Sequence, residues 1–233
     1  NASLVSKRLR DLEQAYLQQI EVEQKRSERL LLNVLPGPIA ERLKRGEQTI
    51  VESFQSVTVL FGDLVGFTRF VSQHSPPEML NLLNTIFRTF DEIVERYGLE
   101  KIKTIGDAYM LAGGLPLPRA GHVQLMAQAA LEMQEAMARL NEEGAIPPFQ
   151  MRIGIHLGPV VAGVIGSQKF SYDLWGDTVN TASRVQAFST GGRILVSAEV
   201  CAALGSAFRF EEHGPIQLKD LRQMQTYWLL GRS

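Results

Sequence analysis

Two aspartates stand where strand-like runs should turn. Asp63 closes an apolar run in Val57-Thr-Val-Leu-Phe-Gly-Asp-Leu-Val-Gly-Phe-Thr68, ahead of a Gly-Phe-Thr turn that opens a helix. Asp107 lies in Lys101-Ile-Lys-Thr-Ile-Gly-Asp-Ala-Tyr-Met110, where Gly106-Asp107 reads as the tip of a tight hairpin. Two carboxylates on neighbouring strand tips offer hard oxygen ligands to a pair of divalent metal ions and leave room for a substrate's phosphates. Taken singly, either aspartate reads as an ordinary turn former.

A third segment shifts that balance. Phe170-Ser-Tyr-Asp-Leu-Trp-Gly-Asp-Thr-Val-Asn-Thr-Ala-Ser-Arg184 carries Asp173, Asn180 and Arg184, and the last two, four apart, share one helix face. Phe61-Gly-Asp-Leu-Val-Gly-Phe-Thr68, Lys103-Thr-Ile-Gly-Asp107, Asp173-Leu-Trp-Gly176 and Val179-Asn-Thr-Ala-Ser-Arg184, in that order, resemble the signature segments of the class III nucleotidyl cyclases. The resemblance runs from about Ser53 to the C-terminus.

It implies conversion of a nucleoside triphosphate to its 3′,5′-cyclic monophosphate and pyrophosphate with two divalent cations, Mg2+ or Mn2+. Asp63 and Asp107 match the family's metal aspartates, and the carbonyl of Leu64 matches its backbone metal ligand. Arg184 matches the arginine that stabilises charge on the α-phosphoryl group, a role suited to a planar guanidinium. Asn180 matches the residue that orients the ribose, and Lys219, in Gly214-Pro-Ile-Gln-Leu-Lys219, aligns with the triphosphate-binding lysine. The turn at Gly66, Phe67 and Thr68 would offer amide N–H groups to the β- and γ-phosphates.

Lys103 and Asp173 fall at the base-reading places, where guanylyl members carry Glu and Cys. Lysine only donates and ionised aspartate only accepts, which suits the N1 acceptor and N6 donor of adenine. ATP is the expected substrate. The alternatives are a guanylate cyclase, an inactive nucleotide-binding signalling module, and another palm-type nucleotidyl transferase. The last lacks support from any Gly-Gly-Asp-Glu-Phe segment. In the family the metal aspartates come from one subunit and the base-reading, ribose and arginine residues from the other, so this chain is expected to form a homodimer with active sites at the interface. The Gly-rich 156–172 arm is expected to reach across it.

The elements that must position these groups are legible in part. With 45% hydrophobic content in 233 residues, one substantial core is available. The reading is a helical signalling and connector region over 1–49 and a catalytic domain over 50–233. Net charge is −1, 24 Lys+Arg against 25 Asp+Glu, which excludes a global field that recruits nucleic acid or anionic lipid. Cys201 alone excludes an internal disulfide framework and reads as a small buried hydrophobe. His74, His122, His156 and His213 show no ligand spacing. No apolar run reaches the roughly 18–20 residues of a membrane-spanning helix, so the catalytic region is expected in the cytoplasm. The chain begins at Asn1, which leaves open a longer protein with an upstream sensor or membrane anchor.

Residues 1–33 lack Gly and Pro and read as one helix, either an imperfect coiled coil through Leu9, Leu12 and Tyr16 or through Ile20, or a solvated charged helix. Pro36 and Pro38 break it, and a second helix runs from Ile39 to a Gly46 cap. Met79, Leu83, Ile86, Phe90 and Ile93 repeat at helical spacing, as do Met126, Ala130, Met133, Met137 and Leu140. Met151–Gly158 and Val160–Gly166 read as the two arms of another hairpin. Next come a helix from about Asp177, a strand at Ile194–Ser197, a short helix from Ala198 and a closing strand at Thr226–Leu230. The order predicts an α+β fold, a ferredoxin-like βαββαβ palm with additional C-terminal α/β elements.

Overall fold

The computed structural model describes residues 2–166, 170–219 and 222–233, without the side chains of residues 2–6 and 9–11. It separates into two compact units, Asn1–Ile50 with Val164–Tyr172, and Val51–Gly163 with Asp173–Ser233.

In the first unit, helix α1 (Ala2–Leu32) is followed by a turn and helix α2 (Gly37–Lys44), which Pro38 enters at its first turn. There its missing N–H costs nothing. Gly46, at φ +87°, ends α2 by donating to Leu43 O at 2.9 Å. Lys44 ties α2 to α1 through Glu28 (2.5 Å) and also pairs with Glu41 within α2 (2.9 Å). Leu12 and Tyr16 of one expected register, Ile20 of the other, and Leu30 are exposed, and Leu9 of the first register has its side chain outside the described residues. No helix among the described residues is long and apolar enough to cross a membrane.

The second unit is organised on a sheet of order β2-β3-β1-β4-β6-β8-β7, with β5 pairing to β4 beside that path. Its strands are β1 (Val51–Val65), β2 (Glu100–Ile105), β3 (Ala108–Gly113), β4 (Gln150–Ile165), β5 (Ser171–Trp175), β6 (Ile194–Ser197), β7 (Phe208–Gln217) and β8 (Gln223–Arg232). Helices α3 (Phe67–Val71) and α4 (Pro76–Tyr97) lie between β1 and β2, and α5 (His122–Glu142) lies between β3 and β4. The first four strands and these helices form the expected ferredoxin-like plan. Helices α6 (Asp177–Phe188) and α7 (Ala198–Leu204) belong to the C-terminal addition.

Strand alternation assigns the two faces. Leu60, Leu64, Tyr109, Leu111, Met151, Ile153 and Ile155 face a core completed by Ile86, Phe90 and Ile93 of α4 and by Met126, Ala130, Met133 and Met137 of α5. The methionine stripe is core, as its spacing predicted. On the other face α6 comes so close at Gly154 that an added Cβ would stand 2.1 Å from the Gln186 backbone N.

Three expectations are corrected. Met151–Gly158 and Val160–Gly166 are not a hairpin: β4 is one strand, antiparallel to β1 from Gln150 to Gly163. Pro159 sits where the β1 register shifts between Phe54 and Val57, and at such a bulge a residue without an N–H does not break the strand. Strand β1 does not end at Asp63 but continues to Val65, which pairs with Gln150. The helix after Gly66 is only the five-residue α3, and a capping box of Ser75 and Glu78 starts α4 separately.

Candidate functional site

Asp63 stands within β1, opposite Arg152 of β4, on the sheet face turned away from α4 and α5. Arg152 donates to Asp63 Oδ2 through Nε at 2.8 Å and Nη2 at 2.5 Å, so both bonds fall on one carboxylate oxygen. Gly106, at φ +61°, forms the tip of the β2–β3 hairpin and hands the next position to Asp107. The β1–β3 register, Gly62 opposite Tyr109, carries that tip to Asp63. Burial first, and then the negative charge of Asp63, push the Asp107 carboxyl up to about 6. Two carboxylates held this close favour a cation between them, which takes the place of the proton they would otherwise share. Among the described residues no group of three or more His, Cys, Asp or Glu gathers elsewhere to rival them. Leu64 follows Asp63 with its side chain buried in the core. Arg152 was not singled out in the sequence, although a lone cation alternating with Met151 and Ile153 on a strand was a readable signal.

Lys103 reaches the same open face by an irregularity. Lys101 pairs with Leu111 and Lys103 with Met110, so a bulge at Ile102 breaks the alternation of β2. An extra residue reverses the facing of every side chain beyond it. Lys103 Nζ consequently meets Asp173 Oδ2, on β5, in an ion pair. The other oxygen, Asp173 Oδ1, accepts the Leu174 N–H at 2.8 Å.

A third group gathers on α6. Asn180, Thr181 and Arg184 line a cavity of about 120 Å³ with Asp177, Leu218, Lys219 and Arg222. Arg184 Nε donates to Gln217 O at 3.1 Å, and its guanidinium lies 4.8 Å from the centre of the Phe188 ring. The cavity brings Asn180, Arg184 and Lys219 together as the sequence expected. It also holds Arg222, not singled out there, which pairs with Asp177 at 3.1 Å.

Gly66 takes φ +86° with open space around its α-carbon, so the turn needs glycine for its backbone conformation. Phe67 is buried against Phe70 and Phe149, which fixes the turn, while Thr68 is exposed. Residues 167–169 of the expected 156–172 arm lie outside the described residues. The arrangement thus holds a carboxylate pair beside a guanidinium, a lysine–aspartate pair, and a cationic cavity with an amide side chain. These are the parts needed to grip cations, a polar ring edge and phosphates.

Comparisons with known proteins point the same way. A family described as the adenylate and guanylate cyclase catalytic domain matches residues 49–231. The adenylate cyclase of Mycobacterium tuberculosis is 44% identical over 215 residues, 92% of this chain and 48% of that protein. This chain therefore spans about half of that relative. The guanylate cyclase domain of RhGC from Catenaria anguillulae, solved in complex with GTP, is 33% identical, with a TM-score of 0.73 over 78% of this chain and 100% of that one. The adenylyl cyclase CyaB from P. aeruginosa is 25% identical, with a TM-score of 0.74 over 78% of this chain and 97% of that one.

Proposed function

This chain belongs to the adenylate and guanylate cyclase catalytic domain family, and on that premise we propose that it converts ATP to 3′,5′-cyclic AMP and pyrophosphate at sites shared by two copies of the chain. The observation that carries the choice of ATP is the Lys103–Asp173 pair. A donor-only and an acceptor-only group side by side complement the N1 acceptor and N6 amino group of adenine, and guanine in the same pose would set its N1–H against the lysine and its O6 against the aspartate.

Asp63, Asp107 and the carbonyl of Leu64 would hold the divalent cations, which when bound supply charge neutralisation and activation of the ribose 3′-hydroxyl. Arg152 keeps Asp63 in one rotamer by occupying Oδ2. Asn180 would orient the ribose. Arg184 has Nε committed to Gln217, and its two terminal nitrogens form the planar pair that would meet the developing charge at the α-phosphoryl oxygens. Lys219 and the amides of Gly66, Phe67 and Thr68 would receive the β- and γ-phosphates. Residues 1–49 act as the signalling and connector region of a longer protein, whose catalytic part lies in the cytoplasm.

The guanylate reading is favoured by likeness to guanylate cyclases, among them a human soluble guanylate cyclase subunit, 37% identical, and the domain solved with GTP. ATP and GTP in competition, with the cyclic products separated, decide between them. Cyclic AMP should dominate, and Lys103→Glu with Asp173→Cys should move the preference toward GTP. Cyclic GMP as the main product of the unaltered chain would overturn the ATP reading. Sharing of sites is tested by mixing Asp107→Ala with Arg184→Ala, each inactive alone. Recovered activity in the mixture is expected, and a dead mixture would refute it.

A further inference from the structure

Asp91 of α4 lies outside all three groups described above, yet it touches both strands of the β2–β3 hairpin. Its Oδ1 and Oδ2 accept from Lys101 Nζ at 2.7 and 2.9 Å, and Oδ1 also accepts from the Tyr109 hydroxyl. The Lys101 ammonium lies 5.0 Å from the centre of the Tyr109 ring, which is fully buried between Phe87 and Phe90. Lys101 is two residues before Lys103, and Tyr109 is two residues after Asp107.

Strand β2 needs such an anchor. It is the terminal strand in the sheet order, laddered only to β3, and the bulge at Ile102 interrupts that ladder between Lys101 and Lys103. An edge strand with a bulge can slide by one residue, and a one-residue slip turns every later side chain to the opposite face. Such a slip would carry Lys103 away from Asp173. Pinning Lys101 toward the helices, on the face of Leu111, fixes the bulge at Ile102 and so commits Lys103 to the open face. The same carboxylate, through Tyr109, fixes the start of β3 and with it the tip bearing Asp107.

We propose that Asp91, with Lys101 and Tyr109 as its partners, is a positioning residue that sets both the base-reading Lys103 and the carboxylate Asp107 through the hairpin that carries them. The proposal rests on the cyclase reading of Lys103 and Asp107 given above. Two copies sharing sites would use these two ends of the hairpin in different active sites, so a single anchor would govern selectivity at one and turnover at the other.

The test uses Asp91→Asn, which keeps the volume and loses the charge, beside Asp91→Glu, Lys101→Met and Tyr109→Phe. In the chain carrying Asp91→Asn alone, kcat/KM for ATP should fall roughly 10- to 100-fold, the scale of an approximately 1 Å misplacement. The preference for ATP over GTP should fall about tenfold, with Asp91→Glu recovering part of both. Lys101→Met should lower mainly the preference, and Tyr109→Phe mainly kcat.

Mixed dimers then separate the two arms. Asp91→Asn/Arg184→Ala mixed with Asp107→Ala confines the altered hairpin to the Asp107 side, and kcat should fall with base preference unchanged. Asp91→Asn/Asp107→Ala mixed with Arg184→Ala confines it to the Lys103 side, and base preference should fall. Equal losses of turnover and no change of preference in either mixture would show a structural role only and overturn the proposal. The control mixture of Asp107→Ala with Arg184→Ala reports separately on shared sites. If it is dead, the unmixed variants still decide, because an unchanged ATP:GTP ratio in Asp91→Asn refutes the positioning role by itself.

Discussion

Asp107 is where the chemistry of a single residue has the most measurable consequence. Its carboxyl is pushed up to about 6 by burial and by Asp63, so below that pH a proton competes with any cation for the pair. The Mn2+ concentration for half-maximal cyclase activity should therefore be nearly constant from pH 7 to 8 and rise roughly tenfold per pH unit below 6. A requirement that stays level from pH 5 to 7 would show that the proton and the cation do not share this site. Asp63 and Asp107 stood out as candidates in the sequence through the order of the motifs that hold them, since either alone reads as a turn former. Arg152 did not, because its partnership depends on the β1–β4 register, which places it opposite a residue 89 positions away.

At the scale of elements, the sequence revealed the helices and missed a strand's continuity. Apolar spacing exposed α4 and α5, whereas Gly158-Pro159 imitated a turn inside β4. The reason β4 survives is the bulge opposite it in β1, a property of a pair of strands that neither segment displays alone. The bulge that reverses Lys103 is equally hidden, since Lys101-Ile-Lys103 reads as plain alternation. Contacts between elements give two stability predictions. Gly154→Ala would drive a methyl group into the backbone of α6 at Gln186, and should cost roughly 2–3 kcal/mol in denaturant unfolding. Unchanged stability would mean that α6 sits farther from the sheet.

Glu100, at the start of β2, gives the second, because burial pushes its carboxyl up to about 7 from the ordinary value of 4.5. Between those values the unfolded chain releases the proton while the folded chain keeps it, so folding stability falls as pH rises across that window and then levels off. Glu100→Gln removes the penalty. The variant should match the parent near pH 4.5 and exceed it at pH 8 by about 3 kcal/mol at most. Equal stabilities at pH 8 would place the carboxylate in water.

For the molecule as a whole, the candidate site groups fall into three sets, and the helix α1 presents Leu12, Tyr16, Ile20 and Leu30 to solvent. If those positions on the 31-residue helix met a second copy, as in the coiled-coil reading, two linked contacts between copies would raise each other's effective concentration. If α1 adds such a contact to the proposed shared interface, deleting residues 1–33 should weaken the dimer without touching any group of the site. Activity per chain should then fall at least tenfold at nanomolar protein and recover at high concentration, in step with dimer formation measured by sedimentation. Loss that persists when the shortened chains are fully dimeric would instead assign α1 to setting the geometry between the two halves, where a displacement of about 1 Å is enough to cost on the order of a hundredfold. Dimerisation and turnover both unchanged by the deletion would leave α1 without either role.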